Sequence, residues 1–303
     1  MADEDEPFSL GFKEPPAHYV SGSQRARLFT ESWVAARLFC PNCGEHRITP
    51  QTANRPVSDF ACARCHEEFE LKSQRRRFGA KVLDGAYGAK MQRLASDTSP
   101  NLMLMNYDLA RFAVTDLFFV PKQFFTPAII EARPPLSPTA RRAGWVGSKI
   151  VLRDVPESGK VWFVRDGEAL AREAVREQWR STLFLRDAGG AARGWLIEVM
   201  KCVEAVGRAA FTLDDVYAFE GRLAALYPGN NNVRPKIRQQ CRCCGIGGGS
   251  SLSGGGGIGC GRGCSEPALR RWRVATYPLH RCAVPLPYTG EDFSVGRASR
   301  SEW

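Results

Sequence analysis

The order of local patterns in the sequence predicts an α/β fold with an inserted four-cysteine zinc site, followed by a small helical module. Three observations carry this. Helical and strand periodicities alternate between residues 21 and 186, as they do when helices cover a sheet. Two C-x2-C pairs, Cys40–Cys43 and Cys62–Cys65, are separated by 18 residues, the spacing of a closed tetrahedral thiolate site. Beyond residues 187–193, a Gly- and Ala-rich linker, three helical segments follow.

The first twenty residues are acidic and contain prolines, which predicts disorder. A helix starts near Ser23, with Ala26, Phe29, Trp33 and Ala36 on one face, and ends near Phe39. After the first cysteine pair, Asp59-Phe60 and Phe69–Leu71 read as strands. Residues two apart share a strand face, so Glu70 and Lys72 are expected to point the same way. An acid (Asp59) ending one strand, with an acid and a lysine together on the next, is a constellation for metal-dependent phosphodiester hydrolysis. Two carboxylates hold a hard cation through oxygen, and the lysine holds or activates a water beside it. The pattern is weakly specific by itself, because alternating charges also line the wet face of ordinary strands.

Gln74–Arg77 form a basic turn, and Arg75 and Arg76 are placed there to contact phosphate. A second helix is expected from about Ala80, striped with Leu83, Ala86, Tyr87, Met91 and Leu94. Leu102–Tyr107 and Leu117–Pro121 read as buried strands. The loop 133–148 is stiffened by Pro134, Pro135 and Pro138, and carries Arg141 and Arg142 ahead of Trp145, which lies between glycines. Such a Trp can stack on bases while the arginines meet phosphate, or it can plug the hydrophobic floor. A strand at 160–164, a helix at 168–181 and a strand at 182–185 complete the first domain, 21–186. In the second, Trp195–Val206 and a segment capped by Thr212 and Asp215 precede a short helix that displays Asn232, Arg234, Lys236 and Arg238. That is a helix-turn-helix arrangement, whose last helix enters the major groove.

The chain has 303 residues, 44% hydrophobic and 24% charged, ordinary values for a globular protein. A formal net charge of +10 favours a polyanionic partner through its long-range field. No apolar run reaches membrane-spanning length and the acidic start is unlike a signal peptide, so a cytoplasmic protein with no membrane partner is expected. In that compartment the 11 cysteines point to metal rather than disulfides, with Cys202 as a core thiol.

Arg55–Cys62 and Cys65–Ser73 closely resemble the catalytic segment of the DpnI-like methyl-directed type II restriction enzymes. The resemblance runs on through Asp84–Tyr87, Val120–Phe124, Ser137–Trp145 and Lys236–Gln240, covering about Ser21 to Gln240. It implies a PD-(D/E)xK nuclease core with the zinc site inserted between catalytic strands, then a winged helix (187–240). A Ser-Asp pair at Ser58 and Asp59 stands where the wider class has Pro-Asp, a departure the DpnI-like enzymes share. The resemblance further implies an endonuclease cutting double-stranded DNA at GATC sites bearing N6-methyladenine, with a monomer expected in solution. Asp59, Glu70 and the Leu71 carbonyl would ligate Mg2+, with Lys72 beside the attacking water. The 133–148 loop would read the methylated site, and Zn2+ on the four cysteines would be structural. A second class stays open: a non-catalytic DNA-binding regulator with a zinc ribbon and a helix-turn-helix. The presence of Asp59, Glu70 and Lys72 separates the two in favour of the enzyme.

Straight after Gln240 the composition turns to glycine, serine and cysteine. A second zinc site from Cys241, Cys243, Cys244, Cys260 and Cys264 is one reading, poorly spaced. A reading-frame change after Gln240 is the other, and it predicts a truncated winged helix with a low-complexity, disordered tail over 241–303.

Overall fold

The computed structural model describes residues 9–13, 22–51, 58–96, 98–208, 210–243 and 272–273. Its centre is β5 (Asn101–Asp108), whose first seven residues are buried. Met103 and Met105 face one side of the sheet, Leu102 and Leu104 the other, the period-two signature of a strand covered on both faces. The neighbouring β6 (Ala113–Val120) divides likewise, Leu117 and Phe119 from Phe118 and Val120. Around this pair lie β1 (Thr49–Pro50), β2 (Phe60–Ala61), β3 (Glu68–Gln74), β9 (Val161–Arg165) and β10 (Glu168–Ala169). The order is β1-β2-β3-β5-β6-β9-β10, and only β3 and β5 pair in parallel.

One face is covered by α1 (Gly22–Arg37), α3 (Arg172–Arg180) and the cysteine segment, which meet Phe69 and Phe119 through Trp33, Val34, Leu38 and Trp179. The buried stripe of α1 is Phe29, Thr30, Trp33 and Val34, whereas Ala36 of the expected face is exposed. The other face carries a second antiparallel sheet, β4 (Lys81–Ala86), β8 (Gly147–Val151) and β7 (Ile130–Ala132), together with α2 (Tyr87–Ala95). The helix expected from Ala80 therefore begins seven residues later, and Leu83, placed on its apolar stripe, is 60% exposed on β4.

Three further expectations are corrected. The start of the chain is ordered at Ser9–Lys13, where Gly11 bridges Ala113 and Phe12 packs on Phe29 and Tyr107. The segment expected as a strand, 182–185, is a 3-10 turn with Leu185 buried. The linker 187–193 is largely absorbed by α4 (Gly190–Val206). This helix is apolar on two sides. Leu196, Ile197 and Met200 pack into the second face of the seven-stranded sheet, while Trp195, Val199, Cys202 and Val203 build the core of the helical module. Glu204 adds polar contacts, accepting hydrogen bonds from the backbone N–H groups of Glu157 (2.9 Å) and Ser158 (2.7 Å).

The helical module continues with β11 (Ala210–Phe211), α5 (Leu213–Tyr217), α6 (Glu220–Leu226) and α7 (Val233–Cys243). Thr212 and Asp215 form the reciprocal capping box expected of them. The helix expected to break after Gln240 keeps its apolar period through Val233, Ile237 and Cys241, all buried. In the tail, β12 (Trp272–Arg273) pairs with β11, so the small ribbon of a winged helix is present in part. The cysteines at 244, 260 and 264, invoked for a second zinc site, lie outside the described residues. No helix among the described residues is long and apolar enough to cross a membrane.

The two cysteine pairs adopt the same turn. In each, the residue after the second cysteine donates its N–H to the first cysteine's carbonyl, Gly44 to Cys40 and His66 to Cys62, both at 2.9 Å. Those two residues have positive φ, 78° and 60°. The four Sγ atoms lie within 4.8 Å of one another, a geometry that can hold zinc. Burial pushes the Cys40 thiol well above its ordinary range. Trp179 ties the first turn to the core, its Nε1 donating to Asn42 Oδ1 at 3.1 Å.

Cys62→Ser is expected to abolish zinc retention and lower the melting temperature sharply, because a closed metal site contributes folding free energy directly. Metal analysis and calorimetry of purified protein check this, and a zinc-free variant of unchanged stability would contradict it. Ending the chain at Arg186 should yield a poorly soluble fragment, since it strips α4 from Phe124, Phe125 and Leu185. Ile197→Ala in the full chain should cost about 2–5 kcal/mol by denaturant unfolding.

Candidate active site

A cleft of about 660 Å³ opens between α1 and β3, lined by Asp59, Glu70, Lys72 and Arg75 from the sheet side and by Arg27, Thr30 and Glu31 from the helix. Asp59 reaches it because β2 pairs antiparallel with β3 in the register Phe60 with Phe69 and Ala61 with Glu68. The ladder runs one residue further, with the Asp59 N–H donating to the Phe69 carbonyl at 2.9 Å. The Asp59 carboxylate is then fixed by the Leu71 N–H, which donates to Oδ2 at 2.8 Å. Glu70 and Lys72 do share a strand face, with Lys72 Nζ 2.6 Å from Glu70 Oε1.

Two groups not singled out as site residues from sequence complete the arrangement. Asp84 on β4 lies 2.9 Å from Lys72 Nζ through Oδ1 and 2.8 Å from Lys90 Nζ through Oδ2. Lys90, on α2, is also 3.6 Å from Glu70 Oε2. The side chains of Asp84 and Lys90 are only 4% and 9% exposed. Burial disfavours the charge on Lys72, but the carboxylates of Glu70 and Asp84 outweigh it and raise its pKa above the ordinary lysine value. Burial also disfavours the Asp84 carboxylate, and Lys90 and Lys72 outweigh it in turn, holding the carboxyl below its usual range. The Lys72–Asp84 ion pair is therefore formed at neutral pH. The signal for Asp84 lay in the Asp84–Tyr87 segment, and the helix assigned there concealed it.

Asp59 and Glu70 offer hard oxygen donors to one open space, which suits a divalent cation. Among the described residues, the only tight cluster of three or more metal-binding side chains is that of Cys40, Cys43, Cys62 and Cys65.

Of the residues expected to meet DNA, Arg75 lines the cleft and Arg76 is exposed on the same turn. That turn is anchored from behind, as Asn106 Nδ2 donates to the carbonyls of Gln74 and Arg76. The 133–148 loop closes as a hairpin, with the Leu136 N–H donating to the Trp145 carbonyl at 3.0 Å. Arg141 and Arg142 are exposed at its end. Trp145 is half-buried, with its ring against Gly147, where a Cβ would come within 2.8 Å of it. The Arg142 guanidinium covers the ring at 4.7 Å. The loop does not line the cleft, but it joins the site's framework through β8, which pairs with β4. Asn232, just before α7, and Arg238 on it are exposed, and Lys236 is partly so. Arg234 is exposed but engaged by Glu220 at 2.7 Å.

Comparison with protein families returns two adjacent matches. The family described as DpnI, Dam-replacing family, matches residues 13–188, and the one described as Dam-replacing HTH domain matches residues 191–244. The first match covers more than half of the chain, and the second follows it over the helical module. The chain belongs to the DpnI, Dam-replacing family, with that family's HTH domain at its C-terminal side.

Proposed function

We propose that this protein is an endonuclease that hydrolyses both strands of double-stranded DNA at GATC sites whose adenines carry the N6-methyl group. The observation that carries the reading is the convergence of Asp59, Glu70 and a charged Lys72 on one open cleft, in a chain of a family of methyl-directed restriction nucleases. Asp59 and Glu70, helped by the Leu71 carbonyl, would hold a divalent cation such as Mg2+. When bound, that cation supplies Lewis-acid stabilisation of the charge that develops on the attacked phosphate.

The protein's own groups then divide the remaining tasks. Lys72, paired with Glu70 and Asp84, is placed to orient or deprotonate the attacking water and to neutralise a phosphate oxygen. Arg75, on the rim of the same cleft, is suited to hold a neighbouring phosphate. The exposed Arg141 and Arg142, with the Trp145 ring held under a guanidinium, suit the hairpin to groove and base contacts at the methylated site. Asn232 ahead of α7, with Lys236 and Arg238 on it, suit major-groove docking, and Arg234 would be oriented there by Glu220.

The direct test is digestion of matched methylated and unmethylated plasmids, with Mg2+ and with chelator. Cutting confined to methylated GATC and dependent on the cation supports the reading. Binding with no cutting under any divalent metal would favour a non-catalytic regulator instead. Glu70→Gln should abolish cleavage while leaving DNA binding intact, because it removes metal-holding charge without volume. Strong residual cleavage by the purified variant would mean the acids are misassigned. In the full chain, Trp145→Ala should lower the preference for methylated over unmethylated sites by about tenfold or more, as loss of one good base contact does. Competition binding measures it, and an unchanged ratio would remove the loop from recognition.

A further inference from the structure

Lys72 is held by two carboxylates, and only one of them faces the cleft. Glu70 lines it and accepts from Lys72 Nζ at 2.6 Å. Asp84 does not line it, and its side chain is 4% exposed, so it can neither collect a cation from solvent nor touch DNA. It reaches the site from a different sheet. β4 pairs with β8 in a register that slips between Asp84 and Ala86, and the Ser148 hydroxyl donates to the Gly85 carbonyl at 3.0 Å across the slip. Bulges of this kind re-aim side chains, and here the result is an acid directed inward at a lysine of the neighbouring sheet.

A Glu70 carboxylate that turns to a cation must loosen its bond to Lys72. Asp84 is the remaining acceptor, at 2.9 Å. Its own charge is tolerated in the interior because Lys90, 9% exposed, lies 2.8 Å from its other oxygen. The four groups balance, two acids against two bases. Such a buried cluster is a poor source of stability, since desolvation offsets the Coulombic gain, so packing alone gives no account of it.

We propose that Asp84 is a positioning residue of this site, keeping Lys72 in place and directed at the cleft when Glu70 changes partner, with Lys90 as the counter-charge that keeps Asp84 in position. The inference rests on the reading of Glu70 and Lys72 as catalytic. Asp84→Asn is expected to slow single-turnover cleavage of methylated plasmid by about 10–100-fold, the loss typical when a supporting hydrogen bond behind a functional ligand is removed. Affinity for methylated DNA, measured without divalent metal, should stay within about twofold, a split between chemistry and binding that a merely structural defect would not produce.

Because Asp84→Asn leaves two lysines short of an acid, the paired variant Asp84→Asn/Lys90→Met removes one charge of each sign and should fold with the same cleavage defect. In a Lys72→Met background, Asp84→Asn should cost nothing further, since Asp84 acts through that lysine. Wild-type-like cleavage by the paired variant, a further additive loss in the Lys72→Met background, or unfolding of both Asp84 variants would each overturn the proposal. If Glu70→Gln is inactive and the paired variant is fully active, the positioning role fails and the nuclease reading stands. If wild-type protein does not cleave, the nuclease reading itself fails.

Discussion

The antiparallel pairing of Phe60–Ala61 with Glu68–Phe69 is the contact on which the candidate site depends. Two residues of strand hold no register by themselves. Here the strand is fixed at both ends. Phe60 is buried beside Phe69 in the core, and Cys62 begins the second cysteine turn immediately afterwards. A slip of one residue would reverse every side chain of the strand, sending Asp59 away from Glu70 and Phe60 towards solvent. The second cysteine turn follows this strand directly, so a metal held by the four sulfurs would help to fix its register. The hydrogen bond from the Leu71 N–H to Asp59 Oδ2, at 2.8 Å, is the local consequence.

The electrostatics of the site follow from which groups are shielded. Lys72 and Asp84 are both penalised by burial, and each stays charged because two opposite charges stand near it. Glu70 differs in facing the cleft, where water and a cation can compete for it. This asymmetry gives two acids of the same charge different tasks, one exchanging partners and one fixed.

Much of this was legible in the sequence, where spacing alone constrained geometry. The 18-residue interval between cysteine pairs demanded a closed site, and the i, i+2 spacing of Glu70 and Lys72 demanded a shared face. The buried strands at 102–107 and 117–121 declared themselves as apolar runs. The errors fell where a pattern fits two periods. Leu83, Ala86 and Tyr87 suit a helix, but β-pairing with β8 wins over Lys81–Ala86, and this moved Asp84 onto a strand aimed at Lys72. Lys90 could not be found at all from sequence, because its partners come from β3 and β4. The ordered Ser9–Lys13 segment was hidden by acidic neighbours, although Phe12 supplies the apolar ring that fixes it.

The C-terminal module is bound to the sheet domain through a shared helix rather than a tether. Three apolar residues of α4 serve one core and four serve the other, so neither core is complete without it. Surface of this kind costs free energy if exposed, which couples the folding of the two halves. Cys241 extends the same logic past the change in composition. It packs in the helical core with Val233, Ile237 and Cys202, where a thiol behaves as a small hydrophobe and burial pushes its pKa up to about 11. The helix therefore continues while its sequence keeps an apolar residue every fourth position, whatever the polarity of the residues between. With α7 anchored in this way and α4 shared, the basic face of α7 is held in a defined relation to the cleft. One DNA molecule engaging both would then be read by a single folded unit.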